Sequence, residues 1–216
     1  DSVSRKGHLE AALRDVLDGQ PRILVGTQML AKGHHFPHVT LVGVINADQG
    51  LFSADFRGQE RLLGMILQVA GRAGRAERPG QVLIQTHHPD HPLMRALQQG
   101  DYDAYSQRLL EERHAAGLPP YTHLAMLHAQ ASQAEQARHF LEQAANCLKA
   151  PGVSVHGPFA APIERRANLY RYQLWLLASR RETLAQALKP GLALIEKLPG
   201  ARKLRWSVDV DPADLS

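Results

Sequence analysis

Gln68-Val69-Ala70-Gly71-Arg72-Ala73-Gly74-Arg75 interleaves two arginines with two glycines. The arginines stand three residues apart, so a helix would project them from one face about a turn from each other. Gly71 and Gly74 remove side-chain bulk between them, which lets a ligand approach the backbone closely. The guanidinium is permanently charged and presents a planar fork of donors that matches phosphate oxygens. A pair delivered this way suits stabilisation of a transferring γ-phosphoryl group. A lone G-R-x-G-R also suits RNA or a solvated basic patch, so the flanking sequence has to decide.

Upstream lies Arg22-Ile23-Leu24-Val25-Gly26-Thr27-Gln28-Met29-Leu30-Ala31-Lys32-Gly33-His34-His35-Phe36-Pro37. Its β-branched run predicts a short buried strand over 22–26. Ligands of open α/β sheets bind at the carboxyl ends of strands, so Thr27 and Lys32 would face that edge. A second run predicts a strand over 40–46 and ends in Asn46-Ala47-Asp48. Asp48 either orients the arginine segment through an ion pair, helps couple two lobes, or serves only as a turn or cap. A helix is expected over 5–17, another over 58–74, and a strand over 81–86 after Gly80. Strands alternating with helices argue for a parallel sheet.

Together these segments resemble motifs V and VI of superfamily 2 helicases. The wording G-T-Q-M-L-A-K-G-H-H-F-P, then L-F-S-A-D-F-R at 51–57, then Q-V-A-G-R-A-G-R-A is similar to the PriA family of primosomal replication-restart helicases (primosomal protein N′). The likeness continues through Gln85-Thr86-His87-His88-Pro89, Leu118-Pro119-Pro120 and Val208-Asp209-Val210-Asp211-Pro212. It implies an α/β fold: part of a RecA-like helicase lobe, then a small α+β domain. It implies Arg72 and Arg75 as arginine fingers with Gln68 sensing the nucleotide. Gly26, Thr27, Lys32, Gly33, Asp48 and Gly71 would lie along the nucleotide and DNA backbone. The implied activity is ATP-dependent 3′–5′ unwinding of DNA at stalled or branched forks, initiating primosome reassembly.

The chain has no G-x-x-x-x-G-K-[ST] and no D-E-x-H or D-E-x-D run. Nothing therefore cradles the β- and γ-phosphates or holds Mg²⁺. The resemblance places both motifs in a first lobe that is missing here, so ATP and Mg²⁺ would bind mostly there. The family's cysteine-rich zinc module is missing too, since Cys147 is the only cysteine. The chain reads as a C-terminal fragment that does not hydrolyse ATP alone. No apolar run approaches the ~18–20 residues of a membrane span. Neither a signal peptide nor an internal disulfide is expected, which suits the reducing cytoplasm; the resemblance implies a bacterial, nucleoid-associated protein.

Residues 1–88 read as the partial lobe, 89–118 as a helical connector and 119–216 as a DNA- and partner-binding domain. Pro89 and Pro92 open a helix through Leu97, and Asp101 caps another over 102–116. Beyond Pro119-Pro120 the expected order is β (121–131), α (133–148), β (153–156), β (170–178), α (181–198), β (203–210), a split-βαβ, ferredoxin-like arrangement. Pro190-Gly191 should kink or break the second helix. The faces of strand 170–178 are not separable by pattern, because both carry apolar groups.

The net charge of +4 is unevenly spread. Residues 160–206 hold ten basic residues against three acidic ones, whereas residues 1–118 are balanced. Arg165, Arg166, Tyr170 and Arg171 interleave cations with tyrosines, which suits phosphate contact and base stacking. A solvated face is the alternative. Arg180 and Arg181 open a helix, where the macrodipole disfavours cations; an anionic partner would explain them. Within the resembled family that partner is DNA or the acidic tail of the single-stranded DNA-binding protein, alongside other primosome proteins. The histidine groups 34, 35, 38 and 87, 88, 91 lack carboxylate or thiolate partners at ligand spacing, so no metal is expected. A purely non-catalytic docking module and an RNA-remodelling relative stay open.

Overall fold

The computed structural model describes residues 23–26, 39–71 and 80–215. The expected helix over 5–17 and the candidates Thr27, Lys32, Gly33, Arg72 and Arg75 lie outside the described residues. The described chain forms two compact units. The first holds its residues up to Ser53 together with Arg57–Tyr105; the second holds Ala54–Phe56 and everything from Ser106 on.

In the first unit, β1 (Leu41–Val44) pairs parallel with β2 (Gln81–Ile84), in register Leu41 to Gln81 and Val44 to Ile84. Helices α1 (Asp48–Leu51) and α2 (Gly58–Ala70) connect them and α3 (Pro92–Gln99) follows; α4 (Tyr102–Ala115) starts in this unit and from Ser106 on belongs to the second. Apolar residues recur at helical spacing on α2, which buries Leu62, Leu63 and Ile66. Helix α3 is closed at both ends. His91 Nδ1 accepts from Leu93 N at 3.2 Å, Pro92 fills the first turn, and Gly100 takes the left-handed conformation (φ 75°).

Two expectations change here. Residues 23–26 form no strand, and Ile23 and Val25 are exposed. An apolar run becomes a strand only when another strand takes its hydrogen bonds, and among the described residues this sheet consists of β1 and β2 alone. Helix α2 ends at Ala70, short of 74. Gly71 caps it, donating its N–H to Leu67 O at 3.0 Å.

The second unit contains β3 (His123–Ala131), α5 (Ala134–Cys147), β4 (Val153–Arg166), β5 (Leu169–Ala178), α6 (Arg181–Ile195) and β6 (Arg205–Val210). The sheet order is β4-β5-β3-β6, antiparallel throughout. Side chains alternate across a strand, and packing settles which face is which. Tyr172, Leu174, Leu176 and Ala178 join Ala125, Leu127 and Ala129 in a core with Phe140, Leu141, Leu184 and Leu188 of the helices. Each fully buried leucine there stabilises the fold by about 1.5–3 kcal/mol. On the opposite face Trp175 and Leu177 pack with Leu124, Met126, Phe56 and Leu215.

β4 continues to Arg166, ten residues past the expected end at 156. Register shifts between His156 and Phe159 and between Ala160 and Arg165 absorb the irregular stretch on this edge strand. α6 is continuous across Pro190, and no break occurs. A Cβ added at Gly191 would stand 2.7 Å from Leu148 Cδ2 and 2.9 Å from Cys147 O. The glycine thus lets α6 approach the end of α5, and that packing holds the helix through two poor helix formers.

Candidate nucleic-acid interface

β4 and β5 end in a two-residue turn, Ala167-Asn168, with φ of 49° and 62°. Paired left-handed residues make a type I′ turn, whose twist matches an antiparallel ribbon. The turn projects the sequence-selected cations from the sheet edge. Arg165 and Arg166 are exposed, and Arg171 is half-buried. Arg165 Nη2 donates to Asn168 Oδ1 at 3.3 Å, and its guanidinium lies 5.2 Å from the Tyr170 ring centroid. That cation–π contact already covers one face of Tyr170. Arg171 Nη1 donates to Ile163 O at 3.5 Å. Glu164 accepts from the Tyr172 hydroxyl at 3.2 Å; burial and then this carboxylate push the hydroxyl above its ordinary pKa. The structure therefore groups Arg165, Arg166, Tyr170 and Arg171 on one hairpin.

Arg180 and Arg181 sit apart from that hairpin, at the start of α6. Arg180 Nε lies 3.6 Å from Glu182 Oε2, and Arg181 Nη2 lies 3.1 Å from Asp211 Oδ2. Carboxylates thus offset the unfavourable macrodipole position; Glu182 is local in sequence, and only Asp211 is brought in by the fold. Both arginines stay mostly solvent-accessible and remain available to an anion.

In the first unit Asp48 sits where β1 has ended, and its carboxylate ties the two strand ends together. Oδ1 accepts from the Thr86 hydroxyl, and Oδ2 accepts from His87 N at 3.0 Å. These hydrogen bonds, Thr86 first, hold its pKa below the ordinary carboxylate value. Thr86 and His87 were legible as part of a recurring wording, but their bond to Asp48 joins residues 38 and 39 positions apart. Gln68 is exposed in the last turn of α2, and Gly71 is exposed just beyond it. Gly26 is exposed in the short described segment. His88 meets Phe52 edge-on with centroids 4.7 Å apart. Among the described residues no group of three or more His, Cys, Asp or Glu is placed to hold a metal ion. No described helix is long and apolar enough to cross a membrane.

Residues 114–213 match the family described as Primosomal protein N C-terminal domain. Replication restart protein PriA of Haemophilus influenzae is 48% identical over 220 residues, covering 100% of this chain and 30% of that protein. The Bacillus subtilis protein of the same name is 37% identical over 215 residues, covering 98% of this chain and 27% of its own length. That of Treponema pallidum is 34% identical over 217 residues, with 98% and 32% covered. The chain thus spans about 30% of these relatives. With similarity running through both structural units, the chain belongs to the PriA family of replication restart proteins.

Proposed function

We propose that this chain is the C-terminal part of an ATP-dependent 3′–5′ DNA helicase. That helicase recognises stalled or branched replication forks and initiates primosome reassembly in the bacterial cytoplasm. The observation that carries the reading is the near-complete coverage of the chain by replication restart proteins. Residues 1–88 are taken as part of a RecA-like lobe, with the parallel β1–β2 pair in its sheet, and 89–118 as a helical connector. Residues 119–216 are taken as a ferredoxin-like DNA- and partner-binding domain, in keeping with the order β3-α5-β4-β5-α6-β6.

ATP supplies the phosphoryl group whose hydrolysis drives unwinding; ATP and Mg²⁺ would be held mainly by a first lobe. The exposed Gln68 amide and the exposed Gly71 beside Arg72 and Arg75 fit contact with a phosphate-bearing ligand. In this reading Arg72 and Arg75 stabilise γ-phosphoryl charge. Gly26, Thr27, Lys32 and Gly33 lie along the nucleotide or DNA backbone, and Asp48 holds two strand ends in place there. Arg165, Arg166 and Arg171 track DNA phosphates, and Arg180 and Arg181 receive an acidic protein tail such as that of the single-stranded DNA-binding protein.

The test is fluorescence anisotropy on a labelled fork across a salt series. Replacing Arg165, Arg166 and Arg171 together by Ala should weaken binding and flatten the slope of log K against log salt. The slope falls by about 0.7–0.9 for each phosphate that is no longer neutralised. The matching triple Arg14, Arg22 and Arg95 to Ala, within the charge-balanced residues 1–118, should change it much less. Equal effects from both triples would show that the hairpin is only a solvated surface.

A further inference from the structure

The face of the second unit's sheet that α5 and α6 leave uncovered carries a cavity of about 430 Å³. Its walls include His156, Phe159, Gln173, Trp175 and Leu177. Phe159 and Trp175 meet edge-on, centroids 5.8 Å apart at 74°, and Phe159 is 45% exposed. Two polar atoms of the lining residues have no hydrogen-bond partner among the described residues. Gln173 Oε1 is an acceptor on a side chain only 4% exposed, and Trp175 Nε1–H is a buried donor. Buried polar groups are nearly always paired, so an unpaired acceptor and donor two residues apart call for an explanation.

The rest of this face supplies a direction. Register puts Arg171, Gln130 and Arg205 side by side on β5, β3 and β6. Alternation places all three on the uncovered face, opposite Tyr172 and Trp206, which pack against the helical core. Gln173 is two residues along β5 from Arg171, or about 7 Å. Asp209, the carboxylate level with Trp175, is two strands away on β6. Cations therefore rim one end of the face, and an aromatic cavity with an unpaired donor and acceptor follows a nucleotide's length further on. An aliphatic side chain would fill the volume and leave both polar atoms unpaired. A base edge brings its own acceptor and donor, and its ring suits the aromatic walls.

We propose that this cavity receives one unpaired base of single-stranded DNA whose phosphates run over Arg171 and Arg205. Both atoms are closed off from solvent, so the Gln173 and Trp175 side chains turn toward the cavity as the base enters, Gln173 Oε1 accepting from the base edge and the indole N–H donating to it. The proposal rests on the reading of the second unit as DNA-binding and moves the base contact from Tyr170, already covered by Arg165, to the open sheet face.

The experiment measures binding of the 216-residue chain to a labelled oligothymidylate and to the same oligomer with abasic residues, across a salt series. The expected result is about a tenfold preference for the base-bearing strand. Phe159→Ala, at an exposed position, should bring that preference close to unity and leave abasic binding unchanged. Gln173→Leu should raise the melting temperature, because it removes an unpaired buried acceptor, and yet lower the preference several-fold. A merely structural glutamine would show the first effect without the second. Arg171→Ala should weaken both oligomers by the same factor. Salt-dependent binding without a base preference in the parent overturns the cavity assignment while leaving the DNA-binding reading intact. So does a preference that survives both Phe159→Ala and Gln173→Leu, or an apolar peptide that perturbs Trp175 emission and is not displaced by oligothymidylate. Absence of salt-dependent binding to either oligomer overturns the DNA-binding reading and the cavity assignment together.

Discussion

His128 shows how a single residue's chemistry depends on where the sheet puts it. It lies on the central strand β3, and burial lowers its pKa first; Arg171 acts in the same direction, while Asp209 and Asp214 oppose. A histidine whose folded pKa lies below its unfolded value near 6.5 favours the folded state above that value. The stability is lost as pH falls through about 6.5 toward the folded pKa. Urea melts at several pH values between about 5 and 7.5 should show the parent losing stability toward acid and His128→Gln losing less. Identical slopes would mean the imidazole is solvated. Ala167 is the other telling residue, since a side chain at φ 49° costs about 1–2 kcal/mol that glycine avoids. Ala167→Gly should stabilise the hairpin by up to about 1 kcal/mol, a rise of ~2–4 °C in melting temperature. A fall in melting temperature would contradict the turn geometry.

At the scale of elements, two glycines in helices separate packing from propensity. Both would gain up to about 1 kcal/mol of helix propensity as alanine. At Gly64 on α2 an added Cβ meets nothing within 4 Å, so Gly64→Ala should stabilise by about that amount. At Gly191 the Cβ would press on Leu148 and on the Cys147 carbonyl, and backbone cannot rotate away. Overpacking costs about 1–3 kcal/mol, so Gly191→Ala should be net destabilising despite its better propensity. Chemical melts of the two variants should move in opposite directions; a shared direction would remove the close α5–α6 approach as the reason for the glycine. The same contact explains why Pro190 fails to break α6, where local propensity alone argues for a break.

For the whole molecule the decisive feature is what the chain has and lacks as a set. It carries the two-arginine segment but no phosphate-cradling loop. The purified 216-residue chain should therefore show no ATPase activity above background. In the intact protein Arg75→Ala should lower ATP turnover by roughly 10³–10⁵ and leave DNA affinity nearly unchanged. Robust hydrolysis by the chain alone would overturn the absence of a phosphate-binding site from it, and turnover within a few-fold of the parent in the intact variant would remove the arginine-finger role.

The sequence by itself determined the family, the parallel character of the first sheet and the uneven charge of residues 160–206. It also placed most helices of the second unit within a few residues, because periodicity, caps and recurring motif wording are local properties. The partners of each local element were decided by tertiary structure. Val25 and its neighbours had a strand's composition and found no strand partner among the described residues. β5 carried apolar groups on both faces, and only the helices packed on one of them distinguished Leu174 from Trp175. Arg181 met Asp211, Asp48 met Thr86, and Phe159 met Trp175 across stretches of chain that no local pattern links. Local chemistry sets what a residue can do, but distant neighbours, brought close only by folding, set which of those capacities stays open to a ligand.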